Sequence, residues 1–425
     1  MRCTFPRRYA GWIVAAVLAT SFGASTVQPR RAVIIEDTLE ASLAQPRIHV
    51  QIVDGQRILE GEPITIPDID LEVEGAATSF AAFLDTGASA CVLSAETAER
   101  FGVELEPDAT YYEVGLSGEK AMMVTREYRL LLADASGTLN DRPARFEIID
   151  AKYRFLVNET AGGAASAVAG MMGGIDIVGV PAFRDSIVEI DPTPLQRGAD
   201  ALKTGSVDDA LDSLLAGGEN LSVGPIVRLH DRRRAPKRRP DLEIPLELVD
   251  YNRRRHPGNR GPLPDLGPNP VILDAESERQ GHSFKGDWLL DTGAAASIIS
   301  RDHARKLGLL DANGDPLAPV AFQLPIGGVS GQAETLSGFV IDRLRIPTKD
   351  RRVVEFRDAH VLVKDIGIKL DDGSYKVLDG VFGLNLLMPS VSGISAGWPS
   401  DMTAGPFERI WVNMPGRTLE LELRH

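Results

Sequence analysis

The chain has 425 residues, 43% of them hydrophobic and 25% charged, which is enough for two or three globular domains with sizeable cores. Its formal net charge of −14 argues against nucleic acid as a general partner. The acidity alone indicates solubility and does not identify a substrate.

The first 24 residues have the pattern of an export signal. Arg2, Arg7 and Arg8 form a positive start, and an apolar run of about 15 residues follows, which is short for a membrane span. "FGAS" then supplies small residues for cleavage. We expect a signal peptide over residues 1–24 and a secreted or periplasmic protein without a stable membrane span after cleavage. An N-terminus retained as a membrane anchor is the alternative.

Cleavage of this signal would remove Cys3 and leave Cys91 as the one remaining cysteine. An exported chain without an internal disulfide depends on its core for stability. Because Cys91 lies in an apolar stretch, we expect it to be a buried small hydrophobe and not a nucleophile.

Most of the remaining chain has strand-like patterns. Residues 25–45 are polar and mixed, and we interpret them as a tether or a short pro-segment. Residues 47–66 alternate in places and carry an Asp-Gly turn, which is typical of strands. Helical patterns are sparse and are plainest over residues 95–102 and 301–309. The sequence therefore predicts an all-β protein.

The middle of the chain differs in composition. We interpret residues 196–240 as a linker, which contains one helical piece, at residues 207–218, and the basic run "HDRRRAPKRRP". Residues 251–270 are rich in Arg, Pro and Gly, which favours linkers and surface loops. We interpret the basic runs as solvated loop residues; the alternative is a processing site or a docking patch for an anion.

One motif occurs twice. "FLDTGASACVLS" (83–94) returns as "LLDTGAAASIIS" (289–300), and each copy is followed by a helical pattern. A given tripeptide of such common residues is expected about 0.1 times by chance in a chain of this length. Two copies with matching flanks therefore indicate a duplication.

Three more landmarks recur in the same order, which extends the duplication along both halves. They are "GLSG" (115–118) with "GVSG" (328–331), "GGIDIV" (173–178) with "FGLNLL" (382–387), and "PAFRDSIVEID" (181–191) with "GPFERIWVN" (405–413). The spacing between partners is much longer than the repeat of a solenoid. We infer a first half over residues 46–195 and a second half over residues 241–425.

The duplicated Asp residues suggest a specific chemistry. Asp85 and Asp291 each follow an apolar strand and precede a tight turn of small residues, so two similar halves could bring both carboxyls together across a pseudo-twofold axis. Adjacent carboxyls share one proton, because both cannot ionise cheaply. The charged partner can activate a water, and the protonated partner can polarise a carbonyl group.

At these residues the chain resembles the aspartic proteases of the pepsin and retropepsin clan. The resemblance implies that Asp85 and Asp291 are catalytic, that Thr86 and Thr292 brace the two motif loops, and that Gly87 and Gly293 support them. "MMGG" (171–174) and "VFGL" (381–384) resemble the element that threads beneath each catalytic loop. The candidates for its glycine are Gly173 or Gly174 in the first half and Gly383 in the second. The Gly-rich flap tips would contain Gly115 and Gly118, and Gly328 and Gly331.

The resemblance also implies a fold and a function. We expect two acid-protease lobes with a catalytic cleft between them, and an exported aspartic endopeptidase that acts on an extended peptide or protein without a metal or another cofactor. We expect a monomer with pseudo-twofold symmetry; a dimer that exchanges halves is an alternative. A non-catalytic peptide-binding protein on the same fold is the main alternative for function.

Two details concern the cleft. Both motifs continue with an alanine, Ala88 or Ala294, where pepsin-like enzymes have Ser or Thr. A hydroxyl there would stabilise the charged carboxylate, so its absence predicts a mildly acidic pH optimum and not a strongly acidic one. Tyr111 and Tyr112 precede the first flap-like glycine, and either could cover the substrate or be an ordinary buried hairpin tyrosine.

Overall fold

The computed structural model of the protein describes residues 32–36, 38–62, 64–66, 71–74, 77–115, 118–138, 141, 145–158, 175–197, 222–231, 236–251, 256–327, 333–369, 375–393 and 400–425. Strands make up 53% of the structure and helices 8%, which confirms the predicted all-β class. The helical piece predicted at residues 207–218 lies outside the described residues.

The strands are numbered here in chain order. They are β1 Ala32–Ile35, β2 Ala41–Ser42, β3 Arg47–Asp54, β4 Arg57–Ile58, β5 Ile64–Ile66, β6 Leu71–Glu74, β7 Phe80–Leu84, β8 Val92–Ser94, β9 Leu105–Gly115, β10 Gly118–Thr125, β11 Tyr128–Ala133, β12 Glu147–Tyr153, β13 Leu156–Asn158, β14 Ile177–Val178, β15 Ser186–Asp191, β16 Ile226–Asp231, β17 Leu242–Pro245, β18 Glu247–Val249, β19 Asn269–Arg279, β20 His282–Leu290, β21 Ile298–Ile299, β22 Phe322–Gly327, β23 Ala333–Pro347, β24 Val353–Val363, β25 Gly367–Lys369, β26 Tyr375–Val377, β27 Gly380–Phe382, β28 Ser390–Ser392, β29 Asp401–Thr403, β30 Phe407–Asn413 and β31 Thr418–Leu423.

Short helices follow the two D-T-G motifs. They are α1 Ala95–Arg100 and α3 Arg301–Lys306, as the sequence predicts; α2 Val180–Phe183 and a 3-10 helix, Leu384–Leu386, are further short elements. The serine that closes each motif copy caps the following helix. Ser94 accepts a hydrogen bond from the N–H of Thr97, and Ser300 from that of His303, both over 3.1 Å.

Each half is built around its own large sheet. The first has the order β12-β11-β3-β7-β14-β8-β13-β10-β9, with β4 paired to β3, and the second has the order β1-β24-β21-β27-β20-β19-β23-β22, with β18 paired to β19. In the first half β14 lies parallel to β7 and antiparallel to β8, and in the second β27 lies parallel to β20 and antiparallel to β21. The strands that carry the two D-T-G motifs therefore have equivalent surroundings.

A third sheet joins the halves. Its order is β16-β15-β30-β31-β17, and the central pairing, β15 with β30, links the fourth pair of sequence landmarks. One core cluster of buried side chains includes Phe183 of the first half and Trp288 and Phe356 of the second. In the described part of the chain, no helix is both long enough and apolar enough to cross a bilayer.

Two segments lie on the half to which they do not belong in sequence. The N-terminal segment, residues 32–45, adds β1 in parallel to β24, and Ser42 N–H donates to the carbonyl of Ala295 over 2.7 Å. This part of the predicted tether or pro-segment is therefore not a free tether.

The middle segment, residues 256–269, lies on the first half. Arg260 and Thr110 exchange two backbone hydrogen bonds, and Gly267 N–H donates to the carbonyl of Ser89 over 2.9 Å. These Pro- and Gly-rich residues are docked and not loosely solvated. The two segments cross between the halves and hold them against each other.

Candidate active site

The two motif aspartates occupy equivalent positions at the ends of buried strands. Leu84 ends β7 and Leu290 ends β20, and both are fully buried. The N–H of Asp85 donates to the carbonyl of Val178 over 3.0 Å, and the N–H of Asp291 donates to that of Phe382 over 3.1 Å. Backbone pairing with β14 and β27 thus fixes where each aspartate leaves its sheet.

The threonines after the aspartates lock the two loops together. Thr86 N–H donates to the Thr292 hydroxyl over 3.0 Å, and Thr292 N–H donates to the Thr86 hydroxyl over 3.1 Å. Each hydroxyl donates onward to a carbonyl of the opposite half, Thr86 to Leu290 over 2.6 Å and Thr292 to Leu84 over 2.7 Å. Both threonines are buried, so this reciprocal arrangement holds the loops in a fixed relation.

The carboxyls of Asp85 and Asp291 lie against each other between these loops, close enough to share a proton. One oxygen of each also accepts two backbone N–H groups of its own turn. These bonds to Oδ1 run from Gly87 (2.7 Å) and Ala88 (3.2 Å) to Asp85, and from Gly293 (2.8 Å) and Ala294 (2.9 Å) to Asp291. The turns therefore aim both carboxyls at the same point.

The glycine of each motif makes this approach possible. A Cβ placed on Gly87 would lie 2.5 Å from Cγ of Asp291, and one placed on Gly293 would collide with the carboxyl of Asp85. Any other residue would push the opposite carboxyl away.

The surroundings shift the titration of the pair. Burial raises the pKa of both carboxyls, and that of Asp291 lies well above its usual range because the charge of Asp85 lies against it as well. Hydrogen bonds to Asp85 partly offset this effect by lowering its pKa. The largest of these contributions comes from Asp291, and the others come from backbone N–H groups. The pair therefore retains one shared proton at pH values where an isolated carboxyl is ionised, while both residues stay partly accessible to solvent.

Two amides that the sequence analysis did not identify support the loops. Asn269, which is buried, donates from Nδ2 to the carbonyls of Thr86 (3.1 Å) and Gly87 (3.0 Å). Gln45 donates from Nε2 to the carbonyl of Gly293. Gln45 lies just before β3 of the first half and Asn269 begins β19 of the second, and each amide reaches the motif loop of the other half. The signal in the sequence is that each is followed by a proline, Gln45-Pro46 and Asn269-Pro270.

The threaded element of the first half is centred on Gly179. Val178 pairs with Leu84 as Phe382 pairs with Leu290, which makes Gly179 the counterpart of Gly383. The hydrogen bonds that follow also match: Val180 N–H donates to the carbonyl of Ala88 (3.0 Å), and Leu384 N–H to that of Ala294 (2.9 Å). Gly173 and Gly174, the predicted candidates, lie outside the described residues. The run that matches "VFGL" (381–384) is therefore "IVGV" (177–180). This corrects the sequence alignment, which matched "VFGL" to "MMGG" and "FGLNLL" to "GGIDIV".

Two of the four flap candidates lie at the end of a hairpin. Gly115 and Gly118 face each other at the end of hairpin β9–β10. Gly328 and Gly331 lie outside the described residues, just beyond the last residues of hairpin β22–β23. Tyr111 is buried, and Tyr112 stacks on His256 of the middle segment with 4.3 Å between ring centroids. Tyr112 is therefore turned towards that segment.

A third carboxyl, Glu113 on β9, lies near the pair and was not identified from the sequence. Its Oε2 atom is buried and has no hydrogen-bond partner among the described residues. Burial, with a contribution from the charge of Asp85, raises the pKa of Glu113 to about 7. Because alternate residues of a strand point to the same face, Glu113 lies on the same face of β9 as Tyr111, and the sequence pattern contains this relation.

Other chemistry in the described residues is limited. Cys91 is buried and unpaired, and burial raises the pKa of its thiol to about 12, which fits the predicted structural role. No group of three or more His, Cys, Asp or Glu side chains in the described ranges is arranged to hold a metal ion.

Comparison with known proteins adds no family assignment. The chain matches no protein-family model, and a search of curated proteins finds no match either.

Proposed function

We propose that this protein is an exported aspartic endopeptidase, built from two acid-protease lobes, that cuts an extended peptide lying between its halves. The observation that carries the proposal is the close contact of the Asp85 and Asp291 carboxyls between equivalent D-T-G loops. Placing two carboxyls against each other in a partly buried site costs free energy, and such a cost is typical of functional sites.

In the proposed reaction the pair begins with one shared proton. The charged carboxylate takes a proton from water while the water oxygen bonds to the carbonyl carbon of the peptide, and the protonated partner gives its proton to the carbonyl oxygen. The C–N bond of the tetrahedral intermediate then breaks. The nitrogen receives the proton taken from water, and one hydroxyl of the intermediate returns a proton to the pair, which regains its first state.

Two further parts of the proposal have separate support. Export is supported by the signal-like pattern of residues 1–24. A single-chain enzyme is supported by the contact between Asp85 and Asp291, since one chain supplies both groups. A molar mass in solution equal to one chain is expected, and twice that mass would favour the dimer that exchanges halves.

Cleavage of a diverse peptide mixture between pH 3 and 7 by the full chain tests the proposal, with products read by mass spectrometry. Asp85→Asn and Asp291→Asn should each abolish cleavage, whereas the exposed Asp108, which has φ of 57°, should tolerate Asn. Cleavage that persists in either pair variant would contradict the mechanism. A folded wild-type chain that binds peptides without cutting them would support the non-catalytic alternative.

A further inference from the structure

Glu113 has an unusual environment for a carboxyl on a hairpin strand. It lies two residues before Gly115, at the end of hairpin β9–β10, and its Oε2 atom is buried without a hydrogen-bond partner among the described residues. Lys120 lies directly across the ladder, but its ammonium group donates to the side chain of Asn158. One oxygen of this carboxyl, Oε2, is therefore desolvated and lacks a donor among the described residues, while the residue as a whole is half-buried.

The charges around Glu113 indicate which kind of hydrogen-bond donor could bind to its Oε2 atom. Asp85 is the charged group whose field acts on it, and it contributes a negative potential. Tyr111, on the same face, contributes no charge at neutral pH, because burial raises its pKa further above neutral. A buried carboxylate without donors is costly, and a cationic donor offsets this cost most effectively.

We propose that Glu113 determines specificity by binding a lysine or arginine side chain of the substrate, in a subsite that adjoins Asp85. The inference rests on the proposed endopeptidase function and names the class of substrate for it. A peptide that lies along the cleft would pass between the carboxyl pair and hairpin β9–β10, and a basic side chain next to the cut would supply the donors that Oε2 lacks. Glu113 touches the substrate in this proposal and takes no part in the proton transfers.

The test compares two peptides that differ in one charge. A sequence that the full chain cleaves is prepared with lysine or with norleucine at each position flanking the cut, and the ratio of the two kcat/KM values is measured at pH 7.5. At one position we expect a ratio of about ten or more in favour of lysine. Glu113→Gln should lower this ratio to about one. Glu106→Gln, which removes a carboxyl from the other end of the same strand, should leave it unchanged.

A second measurement needs no variant. Because the same carboxyl pair cuts both peptides, its own titration cancels in the ratio, whereas the charge of Glu113 does not. The ratio for the wild-type chain should therefore rise between pH 5 and 8, as Glu113 loses its proton near pH 7. A flat ratio, or a lysine preference that survives Glu113→Gln, would overturn the inference. Cleavage without lysine preference would overturn it and leave the proposed function standing, and no cleavage of any peptide would overturn the proposed function itself.

Discussion

Thr86 and Thr292 are hydrogen-bonded to each other in both directions, with the backbone N–H of each donating to the hydroxyl of the other. The two residues lie 206 positions apart in the chain, and this exchange links the D-T-G loops directly. The separation of Asp85 and Asp291 depends on it, because each aspartate is the neighbour of one of these threonines.

Replacing either threonine by valine should destabilise the fold and abolish activity. Valine keeps the shape but leaves a buried N–H and a buried carbonyl of the other half without partners, so we expect a loss of about 2–4 kcal/mol in the free energy of unfolding. Urea unfolding measures the loss. Thr86→Ser, which keeps the hydroxyl, should retain most of the stability, and Thr335→Val at an exposed position of β23 should change little. Equal losses for the serine and valine variants would show that the hydroxyl is not the important group.

The amide of Asn269 should matter more than that of Gln45. Asn269 is buried and serves two carbonyls of the first motif loop, whereas Gln45 is partly exposed and serves one. We expect Asn269→Ala to lower the free energy of unfolding by about 2 kcal/mol and Gln45→Ala by clearly less. Urea unfolding of both, with Asn313→Ala in an exposed turn as a control, measures the difference. A larger effect at Gln45 would contradict the assignment of these roles.

Gly179 should not tolerate a side chain. A Cβ there would lie 2.7 Å from the carbonyl oxygen of Ala88 and closer still to that of Ala90, both of which are fixed backbone atoms. We expect Gly179→Ala to cost about 3 kcal/mol, and Gly383→Ala a similar amount. Gly224→Ala is the control, since its nearest neighbour would be 3.8 Å away. Melting temperatures test the comparison, and a wild-type value for Gly179→Ala would mean that another glycine is the threaded one.

The duplicated motif made the centre of the site predictable. Two copies of one strand–turn sequence were expected to form equivalent turns, and the structure brings Asp85 and Asp291 together as that symmetry requires. Ser94 and Ser300 are a second example. The serine that closes each motif copy caps the following helix in both halves. A local pattern that occurs twice carries information about a long-range contact.

The features that the sequence did not predict depend on strand register and on how segments dock, and composition does not encode either. Several glycines precede β14, and only the pairing of Val178 with Leu84 shows that Gly179 is the important one. The middle segment has the composition of a free loop, yet a few hydrogen bonds, among them that of Asn269, dock it on the first half. Glu113 shares a strand face with Tyr111 in the sequence pattern, but the burial of its carboxyl is visible only in the structure.

The alanines after the motif glycines should set the pH range of activity. Ala88 and Ala294 donate to the carboxyls only through their backbone N–H groups. A serine at either position would add a hydroxyl donor, which favours the charged form and lowers the pKa values of the pair. We therefore expect Ala88→Ser and Ala294→Ser to move the whole pH profile of kcat/KM to lower pH, by up to about one unit. Ala321→Ser, at an exposed position, should leave the profile in place. A shift to higher pH in the motif variants would contradict the argument.

The carboxyl of Glu113 should make stability depend on pH in a direction that needs no enzymatic assay. Its pKa is raised to about 7 in the folded protein, against about 4.3 for an unfolded glutamate, so folding favours the protonated form. Below pH 4 the group is protonated in both states and costs nothing. Between pH 4 and 7 the unfolded chain ionises this group while the folded protein keeps the proton, so the cost grows with pH. Above pH 7 the full cost is present, on the order of 3–4 kcal/mol. Glu113→Gln removes the ionisation, so the free energy of unfolding of the variant minus that of the wild type should increase from pH 4 to pH 8. Urea unfolding across this range measures the difference. A flat line for Glu113→Gln would mean that solvent reaches Oε2 and that its carboxylate is not desolvated.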